Sequence, residues 1–103
     1  YHMYISNGGL QGFQHLRGEF FAIFQFNDAP AEPGREALED EHRVYPGDGI
    51  LPMDQILGDL RETGFDGCVS LELYNPTYWE PDLQQVAETG LRKTVEVIES
   101  AVG

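Results

Sequence analysis

The chain contains one cysteine and only six lysines and arginines in 103 residues. A lone thiol, Cys68, excludes an internal disulfide, so no covalent cross-link holds the fold. Its apolar neighbours make Cys68 read as a buried structural thiol rather than a nucleophile. Against so few basic groups stand 18 aspartates and glutamates, for a net charge of -12. No basic stripe is available to displace counterions from a phosphate backbone, which excludes nucleic acid as a partner class. No apolar run approaches a membrane span, and no signal-peptide pattern opens the sequence; the expectation is a cytoplasmic setting without membrane association. The glycines lack the spacing of a dinucleotide or phosphate-binding loop.

What is present is an apolar run that stops abruptly. Residues 20–30, FFAIFQFNDAP, are apolar up to Gln25, Asn27, Asp28 and a closing proline. Such a run reads as a strand buried on both faces, and polar side chains at the C-terminal end of a parallel strand are where α/β proteins build sites. The pattern recurs in residues 67–75, GCVSLELYN, a second predicted strand carrying Glu72 near its end. Between them, residues 52–63 bring Met53, Ile56, Leu57 and Leu60 onto one helical face, which completes a βαβ unit. Residues 83–102 repeat apolar positions at spacings of three, four and seven. They are opened by Pro81 and Asp82 and closed by Gly103, and so predict a final helix. Tyr1 to Ile5 reads as the end of an earlier strand, and Leu10 to Leu16 as a short helix weakened by Gly12.

Two strands, part of a third and three helices do not cover a parallel sheet. The expectation is therefore a C-terminal portion of a larger α/β domain whose open edges favour self-association. About twenty residues separate Asp28 from Pro52, a length that inside compact domains is either functional or disordered. The acids Glu36, Glu39, Asp40 and Glu41 read as its solvated face. Its second half, EHRVYPGDG, contains a compact turn. Arg43 has two readings there: a guanidinium forked onto a carboxylate or a pair of hydroxyls, or a surface salt bridge to the nearby acids.

The ordered blocks YHMY, FQFNDAP, EHRVYPGDG and GFDGCVSLELYN, followed by a last helix, resemble the C-terminal part of the xylose isomerase-like TIM-barrel superfamily of sugar isomerases, epimerases and related dehydratases. The resemblance covers essentially residues 1–103 and implies the last two to three βα units of a (β/α)8 barrel. Such barrels need about 250 residues, so roughly the first sixty per cent would lie outside this chain. It also implies a divalent metal held by four side chains from successive strands. Glu72 matches the last ligand and Gln25 the third, where many relatives have histidine; the other two ligands have no counterpart in this sequence. His2 matches a substrate-contacting histidine and Arg43 an arginine that orients substrate oxygens. An amide oxygen at Gln25 favours Mn²⁺ or Mg²⁺ over Zn²⁺.

The chemistry so implied is proton abstraction next to a carbonyl, with Glu72 as ligand and part of the acid–base pair. The substrate would be a small sugar, cyclic polyol or ring acid. Asn27 and Asp28 would hydrogen-bond the loop or a ligand. Tyr74, Tyr78 and Trp79 either wall the pocket or pack the last helix. The SLEL-YN ending, the DAP turn and the glutamine also resemble the dehydroshikimate dehydratase-like branch, which keeps elimination beside isomerisation. With two ligands of four, the isolated chain is expected to be inactive. The alternative from another class is a non-catalytic fragment that forms homo-oligomers through its exposed sheet edges.

Overall fold

A computed structural model describes residues 1–6, 12 and 15–103. A short helix, α1 (His2–Ile5), precedes a strand β1 (Ile23–Phe26), a helix α2 (Met53–Glu62), a strand β2 (Cys68–Leu71) and a long helix α3 (Leu83–Val102). The two strands are parallel, with Ile23 opposite Cys68, Gln25 opposite Ser70 and Phe26 opposite Leu71. A helix must intervene to return the chain to the same end of a parallel pair, and α2 is that crossover. Among the described residues no helix is long and apolar enough to cross a membrane.

The helices form where the apolar spacing predicts them. Met53, Ile56, Leu57 and Leu60 are all buried, and they join Phe26, Ala29, Leu38 and Leu51 in one core. Each such aliphatic burial contributes roughly 1.5–3 kcal/mol. Helix α3 starts at Asp82, whose carboxylate accepts the Gln84 N–H at 2.7 Å, satisfying one orphan donor of the first turn. It lies close against the sheet because Gly90 has no side chain; a Cβ there would run into Leu71.

Three expectations are corrected. Residues 2–5 form a helical turn, not a strand end: the Tyr4 and Ile5 amides bond the Tyr1 carbonyl instead of a neighbouring strand. Strand β1 is only four residues long and is not buried on both faces, since Ile23 is 59% exposed and Gln25 is also exposed. Cys68 is exposed rather than buried. The last two corrections share a cause. Side chains alternate along a strand, and the helices cover the Phe24–Phe26 and Val69–Leu71 side, leaving Ile23, Gln25, Cys68 and Ser70 on the uncovered face. The helix expected at residues 10–16 lies largely outside the described residues.

The long connection 28–52 is ordered by Asp28, which is 1% exposed. Its Oδ1 accepts the N–H groups of Ala29 at 2.8 Å and Leu51 at 3.0 Å. Its Oδ2 accepts those of Gly47 at 3.0 Å and Gly49 at 3.1 Å. Its backbone meanwhile exchanges both hydrogen bonds with Val44, at 3.0 and 3.1 Å. One carboxylate thus satisfies four main-chain donors that would otherwise be stranded in a loop. Gly49 is needed for this approach, because a Cβ would collide with the Ala29 carbonyl and come within 2.5 Å of Asp28 Oδ1.

Asp28→Ala is therefore expected to destabilise the chain by about 3 kcal/mol or more, each buried unpaired donor costing ~1–3 kcal/mol. Gly49→Ala should cost ~1–3 kcal/mol through backbone displacement. Urea denaturation of the two variants tests both; wild-type stability in either would refute the carboxylate's organising role.

Candidate functional site

The short 3-10 turn Asp40–His42 delivers Arg43 to the middle of the molecule. Its capping box, in which the Glu39 N–H donates to His42 Nδ1 at 2.9 Å, fixes where the turn ends, and the Asp28–Val44 bridge fixes the next residue. Arg43 is 2% exposed and is the largest fully buried side chain among the described residues. The guanidinium donates from Nη2 to Asp40 Oδ1 at 2.8 Å and from Nη1 to Glu72 Oε2 at 3.4 Å. The rings of Tyr1 and Tyr74 lie 5.3 and 5.1 Å from it, within cation–π range. Asn75 Nδ2 donates to the Arg43 carbonyl at 3.0 Å, tying the segment after β2 to the loop. Neither reading of Arg43 holds as stated: its short bond is an ion pair to the nearby acid Asp40, but from a buried guanidinium, and it meets Glu72 through one nitrogen rather than a fork.

Glu72 is the first residue beyond β2, and its N–H still bonds the Phe26 carbonyl at 3.4 Å. Asn27, the first residue beyond β1, donates from Nδ2 to the Glu72 carbonyl at 2.9 Å. The two strand ends are thereby clamped side by side. The Glu72 carboxylate accepts from Tyr74 Oη at Oε1, at 3.1 Å, as well as from Arg43 at Oε2. The buried Asn27 Oδ1 and Arg43 Nε have no partner among the described residues.

His2, Gln25, Arg43 and Glu72 line one hollow of about 160 Å³, together with Tyr1, Met3, Phe24, Asn27 and Ile56. His2 Nε2 lies 3.2 Å from Asp40 Oδ1 and 3.2 Å from Arg43 Nη2. One is an obligate acceptor and the other an obligate donor, so a single ring nitrogen serves only one of them at a time. Gln25 makes no side-chain hydrogen bond among the described residues. A wider groove of about 510 Å³ between the Pro46–Asp48 turn, α2 and α3 contains none of these groups. Four of its charges pair with one another, Lys93 with Asp48 at 2.5 Å and Arg92 with Glu96 at 3.1 Å.

The three aromatics after Glu72 divide. Tyr74 stacks on Arg43, Tyr78 packs on Tyr45 with ring centroids 4.3 Å apart, and Trp79 is exposed. Burial pushes the Tyr45 and Tyr78 phenols above their ordinary range. Asp40 was expected only as part of a solvated acidic face. It is exposed, but the hydrogen bonds from Arg43 and then His2 hold its carboxyl below the usual carboxylate range. Its one sequence-level signal is its spacing, three residues before Arg43.

As for a metal, the described residues contain no group of three or more histidines, cysteines, aspartates and glutamates able to hold one. The Gln25 amide and the Glu72 carboxylate share the hollow and are chemically suited as two oxygen donors of a larger set. They do not make a closed site alone.

The family model described as xylose isomerase-like TIM barrel matches residues 1–100, and the chain belongs to that family. An inosose isomerase of Bacillus subtilis is 30% identical over 98 residues, 95% of this chain and 35% of that protein. One from Halalkalibacterium halodurans is 43% identical over 61 residues, 59% of this chain and 22% of that protein. A 3-dehydroshikimate dehydratase of Pseudomonas putida is 30% identical over 94 residues, 89% of this chain and 15% of that protein. Among solved structures, the IolI protein with a bound zinc atom superposes with a TM-score of 0.83 at 29% identity, over 92% of this chain and 34% of that one. The parallel strands and helices match part of an α/β TIM barrel, and the chain spans about a third or less of the curated relatives it matches.

Arg43→Ala should destabilise the fold by ~2–3 kcal/mol, less than a fully buried pair because Glu72 and Asp40 are partly or largely solvated. Asp40→Asn should cost less. Because the Asp40 carboxyl is held low in the folded state, its contribution is present above the ordinary value of 3.8 and is lost as pH falls through the folded value. Denaturation midpoints of wild type and Asp40→Asn should therefore differ at pH 7, begin to converge near pH 3.8 and coincide only once the pH is below the lowered folded value; a difference that persists below it would contradict the ion pair.

Proposed function

We propose that residues 1–103 are the last two to three βα units of a barrel whose complete form is a divalent-metal-dependent isomerase or epimerase. Its substrate is a small cyclic polyol or sugar, and it moves a proton next to a carbonyl. The observation that carries this reading is the convergence of Gln25, Arg43 and Glu72 on one hollow at the C-terminal ends of two parallel strands. In barrels of this kind that end is where chemistry is built.

In this reading the Glu72 carboxylate takes up and returns the proton, Arg43 and His2 orient the substrate's oxygens, and Tyr74 steadies Glu72 through its hydroxyl. Gln25 and Glu72 would hold the cation with donors from beyond this chain. When bound, it supplies Lewis-acid stabilisation of the negative charge that develops on the carbonyl oxygen. The oxygen donors suit Mn²⁺ or Mg²⁺, and the zinc atom of the IolI structure supports a divalent ion in the family. A second reading, a dehydratase acting on a ring acid, is favoured by the likeness to the Pseudomonas putida enzyme over 89% of the chain. Both reactions start from the same proton abstraction and differ in what leaves afterwards.

The isolated chain should turn over neither an inosose nor 3-dehydroshikimate. The barrel-complete protein should act on one of them with Mn²⁺ present and lose activity to a chelator. Glu72→Gln should lower its kcat by at least ~10²-fold, and Gln25→Ala should weaken Mn²⁺ binding. Retention of near wild-type turnover in Glu72→Gln would overturn the assignment. Turnover by the isolated chain, accompanied by a higher solution mass, would mean that copies complete the site through the strand edges.

A further inference from the structure

We infer that Asp40 is a positioning residue: it holds the Arg43 guanidinium off Glu72, so that the Glu72 carboxylate keeps an oxygen available to a ligand. The inference rests on the reading of Glu72 given above and adds a residue and a regulation of its availability that the reading does not contain.

The geometry is an unequal sharing. One guanidinium faces two carboxylates, and the short bond, 2.8 Å, goes to the exposed Asp40, while the contact to Glu72 stretches to 3.4 Å, the outer edge of hydrogen-bond range. An arginine left with a single carboxylate favours the forked arrangement, in which two N–H groups engage both oxygens. Arg43 has the donors for it: Nη2 stands beside the Nη1 that already faces Glu72, and it is Nη2 that Asp40 holds. A fork onto Glu72 would also compete for Oε1, which among the described residues accepts from Tyr74 alone. Asp40 prevents this by occupying Nη2, and His2 at 3.2 Å from both groups reinforces that side. The Tyr1 and Tyr74 rings keep the guanidinium in the space between the two acids. The depressed Asp40 carboxyl agrees with an anion held in this role at neutral pH. Asp40 is well placed for such a task, since its side chain is 57% exposed and its replacement disturbs little packing.

The test uses NMR of the Arg43 guanidinium and the Glu72 carboxylate in this chain, in wild type, Asp40→Asn and Asp40→Glu. In Asp40→Asn the Arg43 Nε and Nη resonances and the Glu72 carboxylate resonance should shift together, and Asp40→Glu should restore them. Adding Glu72→Gln to Asp40→Asn should cancel the shift. Resonances of Arg43 and Glu72 that ignore Asp40→Asn would overturn the inference. In the barrel-complete protein, Asp40→Asn should lower kcat ~10-fold with KM changed less than ~3-fold, with Asp40→Glu recovering most of the loss; an unchanged kcat in an active protein would also overturn it. Coupled NMR shifts in a protein without isomerase or dehydratase activity would keep the positioning role and remove the functional reading instead.

Discussion

Everything at this site hangs from one buried carboxylate. Asp28 stands where β1 ends, and its two oxygens collect four main-chain N–H groups from both ends of a connection more than twenty residues long. A loop of that length would carry a large conformational entropy if left open; it buries Ala29, Leu38, Tyr45 and Leu51, but its turns also hold main-chain donors that need partners. The carboxylate supplies those partners with hydrogen bonds to an ionised acceptor, which are stronger than neutral ones. The Val44 bridge then sets the residue beside it, Arg43, against Glu72 on the neighbouring strand end. The chemistry-bearing groups therefore depend on a residue that is itself fully enclosed.

Arg43 is the second tier. Its guanidinium links the acidic turn just before it, through Asp40, to two segments distant in sequence: the opening helix through Tyr1 and His2, and the end of β2 through Glu72 and Tyr74. A lysine could not reproduce this, because a single ammonium offers neither the planar face for two tyrosines nor separate nitrogens for two acids. Asn27 adds an independent clamp between the strand ends. The uncovered sheet face with Gln25, and the unpaired outer edges of both strands among the described residues, fit a fold that continues beyond these two strands.

Local pattern made α2 and α3 legible from the sequence, because apolar spacing and the Asp82 cap depend on neighbours a turn away. The parallel pair and the membership of a barrel family were legible too, the latter through motifs at the strand ends. The length of β1 and the exposure of Cys68 were not. Both depend on what lies across the sheet, and an apolar run cannot report whether its second face is covered. The turn at His2–Ile5 was misread because a short stretch of apolar and aromatic residues fits a strand end equally well. Gln25 and Glu72 stood out as polar groups in apolar runs. Asp40 did not, since among four clustered acids only its spacing from Arg43 sets it apart, and it is the contact with Arg43 and His2 that gives that spacing meaning.

The measurement that tests this account most directly is amide hydrogen exchange at Ala29, Gly47, Gly49 and Leu51, the four donors gathered by Asp28. If one carboxylate orders the loop, these amides exchange slowly and with a common opening free energy, although they are spread over more than twenty residues. Four unrelated rates, with Gly47 and Gly49 exchanging like solvent-exposed amides, would mean that the loop is held by something else and that Arg43 reaches Glu72 without Asp28.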